Sequence, residues 1–556
     1  MQHDEVRSAL TAPGAPFEMV EVEVRGLTLR AWRHSPPTLR AIVERMPVHA
    51  RRTFLVHGGQ RMAYGEAHKR IAGLAWALVR DQGIRKGDRV ALAMRNMPEW
   101  PIAFLAAACA GAVVVPLNAW WERTELEFGL RDSGAKVLIA DSERYSRLDG
   151  GLTVPTFVAR PTGPLPEGAV DLSAVGTADG LPAVSLEPED GATIFYTSGT
   201  TGTPKGAFGT HRNICTNVIS IGYAAARSQL REGRSLAEIA APAPPGVWLL
   251  GVPLFHVVGC HSVLLAAANA GGTLVLMRKW DPTVALELVE RERITTFTGV
   301  PAMVAQLLAH PDFAEHDTAS LTGLGTGGAA APPVLAGRMH RRLPSTVPAN
   351  GYGLTETSSM TTSNRGIDYL QRPDSVGQPV PVCELRIVDP STGERLPNGE
   401  VGELRIRGVN VVAGYWNRPE ATAAAITDGW LHSGDLARMD DDGFVYVVDR
   451  ARDMLIRGGE NIYCAEVESA IHEHPDVVAV AVIGIPDAML GEQVGAVVQV
   501  GAGTALDTSA LREFLCGRIA KFKIPAQVWV QETPLPRNAA GKIAKTVLRA
   551  RQFPGA

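Results

Sequence analysis

Cysteine is scarce in this chain, and its placement excludes more than its number does. The 556 residues carry six cysteines (Cys109, Cys215, Cys260, Cys383, Cys464 and Cys516) with no C-x-x-C pair. Neither a zinc site nor a disulfide framework is expected, and a reducing compartment suits the chain. Blocks of Lys or Arg are missing, and a net charge of -4 offers no basic field for nucleic acid. Long hydrophobic runs are missing too. The most apolar stretch, 102–117, carries Gly111 and Pro116 and is too short to span a bilayer. It reads as a buried helix running into a strand. The opening residues Met1-Gln2-His3-Asp4-Glu5 are polar and acidic, unlike a secretory signal. A cytoplasmic protein with no transmembrane segment and no nucleic-acid partner is expected.

What is present is an ordinary globular composition, 46% hydrophobic and 20% charged. The length exceeds one ordinary core, so two or more domains are expected. Helical and strand patterns alternate. Tyr64 to Gln82 reads as a helix, Arg89 to Met94 as a strand and Glu99 to Ala110 as a helix; Thr273 to Leu276, Pro282 to Arg291 and Ile294 to Thr298 repeat the alternation. Such repetition implies mostly parallel sheets covered by helices. Between Leu385 and Arg407 the texture becomes short strands with turns such as Leu396-Pro397-Asn398-Gly399, an antiparallel β unit. The Ala/Pro-rich stretch Ala224 to Gly246 reads as a surface excursion. After Asp449-Arg450 a smaller α+β segment follows, so the boundary is placed near Arg452, giving domains over 1–451 and 452–556.

Five strings carry chemistry. Thr197-Ser198-Gly199-Thr200-Thr201-Gly202-Thr203-Pro204-Lys205-Gly206 follows an apolar strand-like run. Its glycines let backbone N–H groups approach an anion, and hydroxyls and a lysine add donors and charge, which is what a triphosphate needs. The G-x-x-x-x-G-K-[ST] spacing of common NTPases does not fit it. Asn350-Gly351-Tyr352-Gly353-Leu354-Thr355-Glu356-Thr357 offers an aromatic face and a carboxylate. A carboxylate beside phosphates suits Mg²⁺, which takes one or two protein oxygens and fills its shell with phosphate and water. Gly429-Trp430-Leu431-His432-Ser433-Gly434-Asp435 sets an aspartate after a tight turn, able to hold ribose hydroxyls, and Asp449-Arg450 adds a forked cation. Finally, Pro534-Leu535-Pro536-Arg537-Asn538-Ala539-Ala540-Gly541-Lys542 presents a lysine in a loop stiffened by two prolines.

Together, in this order, the strings resemble the adenylate-forming superfamily of acyl-CoA synthetases, nonribosomal peptide adenylation domains and luciferases, over about Leu39 to Leu548. The resemblance implies a large N-terminal domain of stacked α/β sheets with a small antiparallel β unit, then a small mobile α+β domain. It implies ATP, Mg²⁺ and coenzyme A as cofactors, and two steps: a carboxylate attacks the α-phosphorus of ATP, then a thiol displaces AMP. It assigns Thr197, Ser198, Gly199, Thr200, Thr201, Gly202 and Lys205 to the β- and γ-phosphates. Thr355 and Glu356 go to the α-phosphate and Mg²⁺, Asp435 and Arg450 to the ribose, and Gly328, Ala329 and Tyr352 to the adenine. Lys542 would bridge carboxylate and α-phosphate. Arg452 would be the hinge, where the family usually carries Lys or Asp, and Gly458 and Gly459 would line the pantetheine tunnel.

For the acid, the resemblance places His256 near the carboxylate or as a gate, with Val257, Val258, Gly259, Val300, Gly328 and Leu354 as an apolar wall. No charged residue there would pair with an amino acid's ammonium, so an apolar acid is favoured. The expectation is an acid–CoA ligase for a medium- or long-chain fatty acid or another hydrophobic acid. Aromatic and steroid-side-chain acids remain alternatives, as does loading of a carrier protein or an amine. No fused carrier domain is expected, and a homodimer stays open.

Overall fold

A computed structural model describes residues 2–148, 154–197, 204–241, 244–450, 453–457, 460–487, 489–538 and 541–552. Two large sheets dominate, one of eight strands and one of nine. The first has parallel strands at its centre, among them Arg89–Ala93, Val113–Pro116 and Ala135–Asp141, and an antiparallel hairpin, Gly191–Thr197 with Lys205–Thr210, towards one edge. Arg89–Ala93 shows why such strands read as continuous apolar runs. Val90 and Leu92 enter the main core while Ala91 and Ala93 enter a second cluster on the opposite face, so both faces are dry.

The main core joins the two sheets, holding Phe54, Leu55, Leu250 and Leu274 of the nine-stranded sheet together with Val90 and Val114 of the other. Helix Glu99–Cys109 lies inside it, every residue from Trp100 to Cys109 buried, which accounts for its lack of a polar face. Buried Asn96 ties the layers together. Its side-chain amide donates to the carbonyls of Val252 (2.9 Å) and Met277 (3.1 Å), and its Oδ1 accepts from the Leu254 N–H (2.9 Å).

Helix Pro282–Arg291 starts where Asp281 caps the N–H groups of Thr283 and Val284 and proline takes the first turn. The helix beginning at Tyr64 runs as an α-helix to Trp76 and then widens into a π-helical turn, Ala77–Asp81. The expected surface excursion from Ala224 is corrected over its first third. Residues 224–231 close the long helix His211–Arg231, where Tyr223, Ala226 and Leu230 pack under the N-terminal hairpin Met19–Val24/Leu27–Trp32. Those three positions share one helical face, and the hairpin that covers them lies about two hundred residues earlier in the chain.

A five-stranded antiparallel sheet follows, including Cys383–Val388, Gly402–Gly408, Trp430–Met439 and Val445–Arg450. Residues 455–531 then build their own five-stranded sheet and a separate core of Val467, Ile471, Val480, Val498 and Leu511. Their helix Thr508–Leu515 ends where Cys516 turns extended and Gly517 takes a φ of +80°. All six cysteines carry free thiols. Among the described residues no helix is long and apolar enough to cross a membrane.

Candidate active site

Thr197 and Lys205, expected at the phosphates, stand on the hairpin of the eight-stranded sheet. Thr197 and Lys205 face each other across it, and the Thr197 hydroxyl donates to the Lys205 carbonyl at 3.4 Å. Ser198, Gly199, Thr200, Thr201 and Gly202 lie outside the described residues. A short strand, Gly414–Tyr415, pairs with the outer arm of the hairpin. The backbone around it reaches both ways: Trp416 N–H donates to the Gly206 carbonyl at 2.8 Å, and Val412 N–H to the Glu356 carbonyl at 2.9 Å.

This zipper carries Tyr415 to the centre of the site. Its hydroxyl donates to Glu356 Oε1 at 2.7 Å, and the Lys205 ammonium sits 5.5 Å from its ring centroid. Burial, then the Glu356 charge, push the Tyr415 phenol well above its ordinary range, so it stays a donor. Sequence reasoning missed Tyr415. The available signal was the aromatic pair after a glycine, Gly414-Tyr415-Trp416.

The residues expected at the nucleoside lie at the carboxyl ends of the parallel strands Gly323–Gly327 and Val347–Tyr352, where open α/β sheets commonly bind ligands. Gly327 pairs with Gly351 there, and Gly328 follows with a φ of +77° that favours glycine. The Tyr352 hydroxyl donates to Asp435 Oδ2 at 2.6 Å, and Arg450 Nε lies 3.3 Å from Asp435 Oδ1. Asp435 and Arg450 are direct cross-strand neighbours, so the antiparallel sheet itself sets this pair. Burial and the Asp435 charge hold the Tyr352 phenol far above its usual range. Next to Arg450, Asp449 accepts from its own neighbour's N–H (2.7 Å) and from Ala465 N–H (3.4 Å) at the start of helix Cys464–His472. Burial raises the Asp449 carboxyl to about 6.

Between these two clusters the backbone is strained. Ser358 and Ser359 hold φ of 55° and 104°, unusual for residues with side chains. The Ser358 carbonyl lies 3.1 Å from Nδ1 of buried His261, whose ring burial pushes down to about 4, so it is a neutral donor there.

The expected apolar wall is only partly assembled. Val258 and Val300 do converge on Gly328, where an added Cβ would lie 3.6 Å from one and 3.9 Å from the other. The other three positions serve different contacts. Val257 is buried in the main core; Gly259 is small because an added Cβ would sit 2.3 Å from the Pro253 carbonyl; Leu354 packs with Tyr352 against the antiparallel sheet. His256 is half-buried, its ring tilted against Phe255 at 4.8 Å between centroids.

Lys542 sits in a hairpin closed by its own backbone, with Asn538 N–H to the Lys542 carbonyl at 2.8 Å and Ala544 N–H to the Pro536 carbonyl at 2.8 Å. Gly541, with a φ of +77°, lies near Val300: a Cβ there would be 3.1 Å from the valine. Arg452, Gly458 and Gly459 lie outside the described residues.

A single carboxylate with neighbouring hydroxyls suits Mg²⁺ arriving with a triphosphate, and no group of three acidic, His or Cys residues that would cage a metal exists among the described residues.

An AMP-binding enzyme family model matches residues 42–416, and an AMP-binding enzyme C-terminal domain model matches 466–542. The chain belongs to the AMP-binding, adenylate-forming enzyme family. It is an AMP-forming acyl-CoA ligase using ATP, a carboxylic acid and coenzyme A. A feruloyl-CoA synthase from Amycolatopsis sp is 39% identical over 528 residues, covering 95% of this chain and all 100% of that one. A long-chain-fatty-acid–CoA ligase of Bacillus subtilis (strain 168) is 33% identical over 500 residues, 84% of this chain and 86% of the relative. Among solved structures, the amide bond synthetase McbA from Marinactinospora thermotolerans superposes with a TM-score of 0.80 at 28% identity, over 93% of this chain and 100% of that one.

Proposed function

We propose that the chain ligates a ring-bearing apolar acid, of the arylpropenoic kind, to coenzyme A. The observation that carries this reading is the nearness of Gly541 to Val300, where an added Cβ would lie 3.1 Å from the valine. It supports a loop of Lys542 seated beside Val300, which with Val258 and Gly328 would form an apolar slot for the acid. An acid entering that slot would bury its apolar body and present its carboxylate towards the lysine, and burial supplies roughly 25 cal/mol per Å² of binding. The full-length likeness to a feruloyl-CoA synthase supports a ring over a straight chain. A fatty acid is the second reading, supported by the Bacillus subtilis relative.

Each residue then has a task. Thr197 and Lys205 would hold the outer phosphates, Tyr352 and Gly328 with Ala329 the adenine, and Asp435 with Arg450 the ribose. Thr355 and Glu356 would face the α-phosphate, with Tyr415 holding Glu356 in place. When bound, Mg²⁺ would offset the phosphate charge. Lys542 would join carboxylate and α-phosphate, so that the first step is governed by positioning and electrostatics. The pivot at Arg452, the tunnel at Gly458 and Gly459, and a cytoplasmic setting complete the proposal.

The test follows AMP release and thioester mass over ferulate, 4-coumarate, octanoate and palmitate, with coenzyme A or an amine as acceptor. Aryl-CoA thioesters should form with the highest kcat/KM. Octanoate or palmitate exceeding the aryl acids would overturn the ring reading. Amide in place of thioester would overturn the acceptor.

A further inference from the structure

We propose that Arg25, at the tip of the N-terminal hairpin, is a positioning residue for Glu356 and so for the adenylation step. The inference rests on the ligase reading, and on the task proposed there for Glu356, and deepens it. Arg25 stands ahead of the segment 42–416 that the AMP-binding family model matches, so the family motifs do not account for it.

The hairpin turns through two residues, since Val24 pairs with Leu27. Both turn residues have positive φ, 52° at Arg25 and 76° at Gly26. Such a turn favours Asn, Asp or Gly at its first position, and a long side chain there is held against local strain. The guanidinium shows what holds it. Nη1 donates to the Val412 carbonyl at 2.6 Å and Nη2 to the Val411 carbonyl at 2.9 Å. A rigid fork on two successive carbonyls fixes direction as well as distance.

A trans peptide group is planar, so its N–H points opposite its C=O. The peptide that presents the Val411 carbonyl to Arg25 therefore sends the Val412 N–H the other way, to the Glu356 carbonyl at 2.9 Å. The next peptide presents the Val412 carbonyl to Arg25 and sends the Ala413 N–H to the Phe208 carbonyl at 2.9 Å, on the strand Lys205–Thr210. Two residues further on, Tyr415 holds the Glu356 carboxylate. One guanidinium thus aims both N–H groups that seat this loop between Glu356 and the strand of Lys205.

Asn213 is the other support. Its side-chain amide donates to the carbonyls of Val409 (2.7 Å) and Val411 (3.0 Å). The Val411 carbonyl is thus shared, whereas the Val412 carbonyl takes its side-chain donor from Arg25. The competing role is purely structural: the fork would only pin the hairpin, whose Val24 and Leu29 already share a buried cluster with Val409.

The experiment uses full-length Arg25→Gly, Arg25→Lys and Leu29→Ala. It measures acid-dependent ATP–pyrophosphate exchange and, apart from turnover, Mn²⁺ affinity in the presence of unreactive α,β-methylene-ATP by electron paramagnetic resonance. Glycine relieves the turn and removes only the fork; lysine keeps a cation without the fork; Leu29→Ala loosens the hairpin core and leaves the fork in place. Arg25→Gly should lower kcat for exchange roughly tenfold and weaken Mn²⁺ about fivefold, with KM for the acid within about twofold, as charged hydrogen bonds are lost. Arg25→Lys should lose about threefold of the same rate, and it decides the question if the glycine variant does not fold. Leu29→Ala should lower the melting temperature, as a core truncation does, while rate and Mn²⁺ affinity stay within about twofold. Unchanged exchange and Mn²⁺ affinity in the Arg25 variants overturn the proposal. So does an equal change in Leu29→Ala, which would make the effect one of hairpin stability. A parent enzyme without acid-dependent exchange would overturn the ligase reading itself.

Discussion

Replacing Tyr415 by phenylalanine isolates one hydrogen bond at the heart of the proposed adenylation site. The ring stays, so the Lys205 ammonium keeps its aromatic face, and only the donor to Glu356 Oε1 at 2.7 Å is removed. Hydrogen bonds to charged groups are worth about 1.5–3 kcal/mol net. Glu356 is half-buried, so water can replace part of the contact and the lower end applies. About 1.5 kcal/mol corresponds to roughly a tenfold loss of rate. The assay is acid-dependent ATP–pyrophosphate exchange, titrated with Mg²⁺, because it reads the first half-reaction alone. Tyr415→Phe should lower exchange about tenfold and raise the Mg²⁺ needed for half-maximal rate. Tyr415→Leu removes the cation–π contact as well, about 0.5–1 kcal/mol further, and should lose another few-fold. Exchange within twofold of the parent at every Mg²⁺ concentration would refute the claim that Tyr415 positions Glu356.

Two further outcomes are expected. Lys542→Ala should suppress adenylate formation by orders of magnitude while sparing thioester formation from supplied acyl-adenylate, and equal loss of both steps would refute its assigned role. Asp449 is an acid whose titration is raised from 3.8 to about 6, chiefly by burial. Its stabilising contribution is therefore full below pH 3.8 and lost as pH rises through 6. Asp449→Asn, which keeps the acceptor for Arg450 N–H, should be more stable than the parent at pH 7.5 by up to about 3 kcal/mol, and no more stable at pH 3.8. Urea melts giving parallel stability–pH curves for the two proteins would refute it.

The sequence pattern was legible wherever local forces decide. Pro282–Arg291 follows from its Asp-Pro start and one apolar face, and Gly191–Thr197 from its β-branched and aromatic run. The proposed nucleotide residues follow from motif chemistry, because glycine, hydroxyl and charge must stand close together in sequence to surround a phosphate. What escaped depends on distant partners. The end of the helix His211–Arg231 looks like loop until the N-terminal hairpin covers it. Val257, Gly259 and Leu354 stand in strings that would border the proposed slot, yet these residues face elsewhere, into core, backbone and sheet. Tyr415 escaped for the same reason, since only strand pairing with the hairpin brings it from sixty residues away to Glu356.

The proposed half-reactions compete for one opening, and the construction of the Lys542 hairpin makes that competition sharp. Its turn is closed by Asn538 at both ends: the backbone N–H bonds to the Lys542 carbonyl, and the side-chain oxygen accepts from Lys542 N–H at 3.0 Å. Arg537 adds a third tie, donating to the Gly541 carbonyl at 2.8 Å. A loop tied in this way would move as a unit, so it would either rest on Val300 or leave it. While it rests there it covers the surface on which the arm of coenzyme A would lie. Seating the lysine and admitting the thiol are then mutually exclusive states of the same surface. The order of the two steps would follow from occupancy of that surface, because the thiol can approach only after the loop that served adenylation has gone.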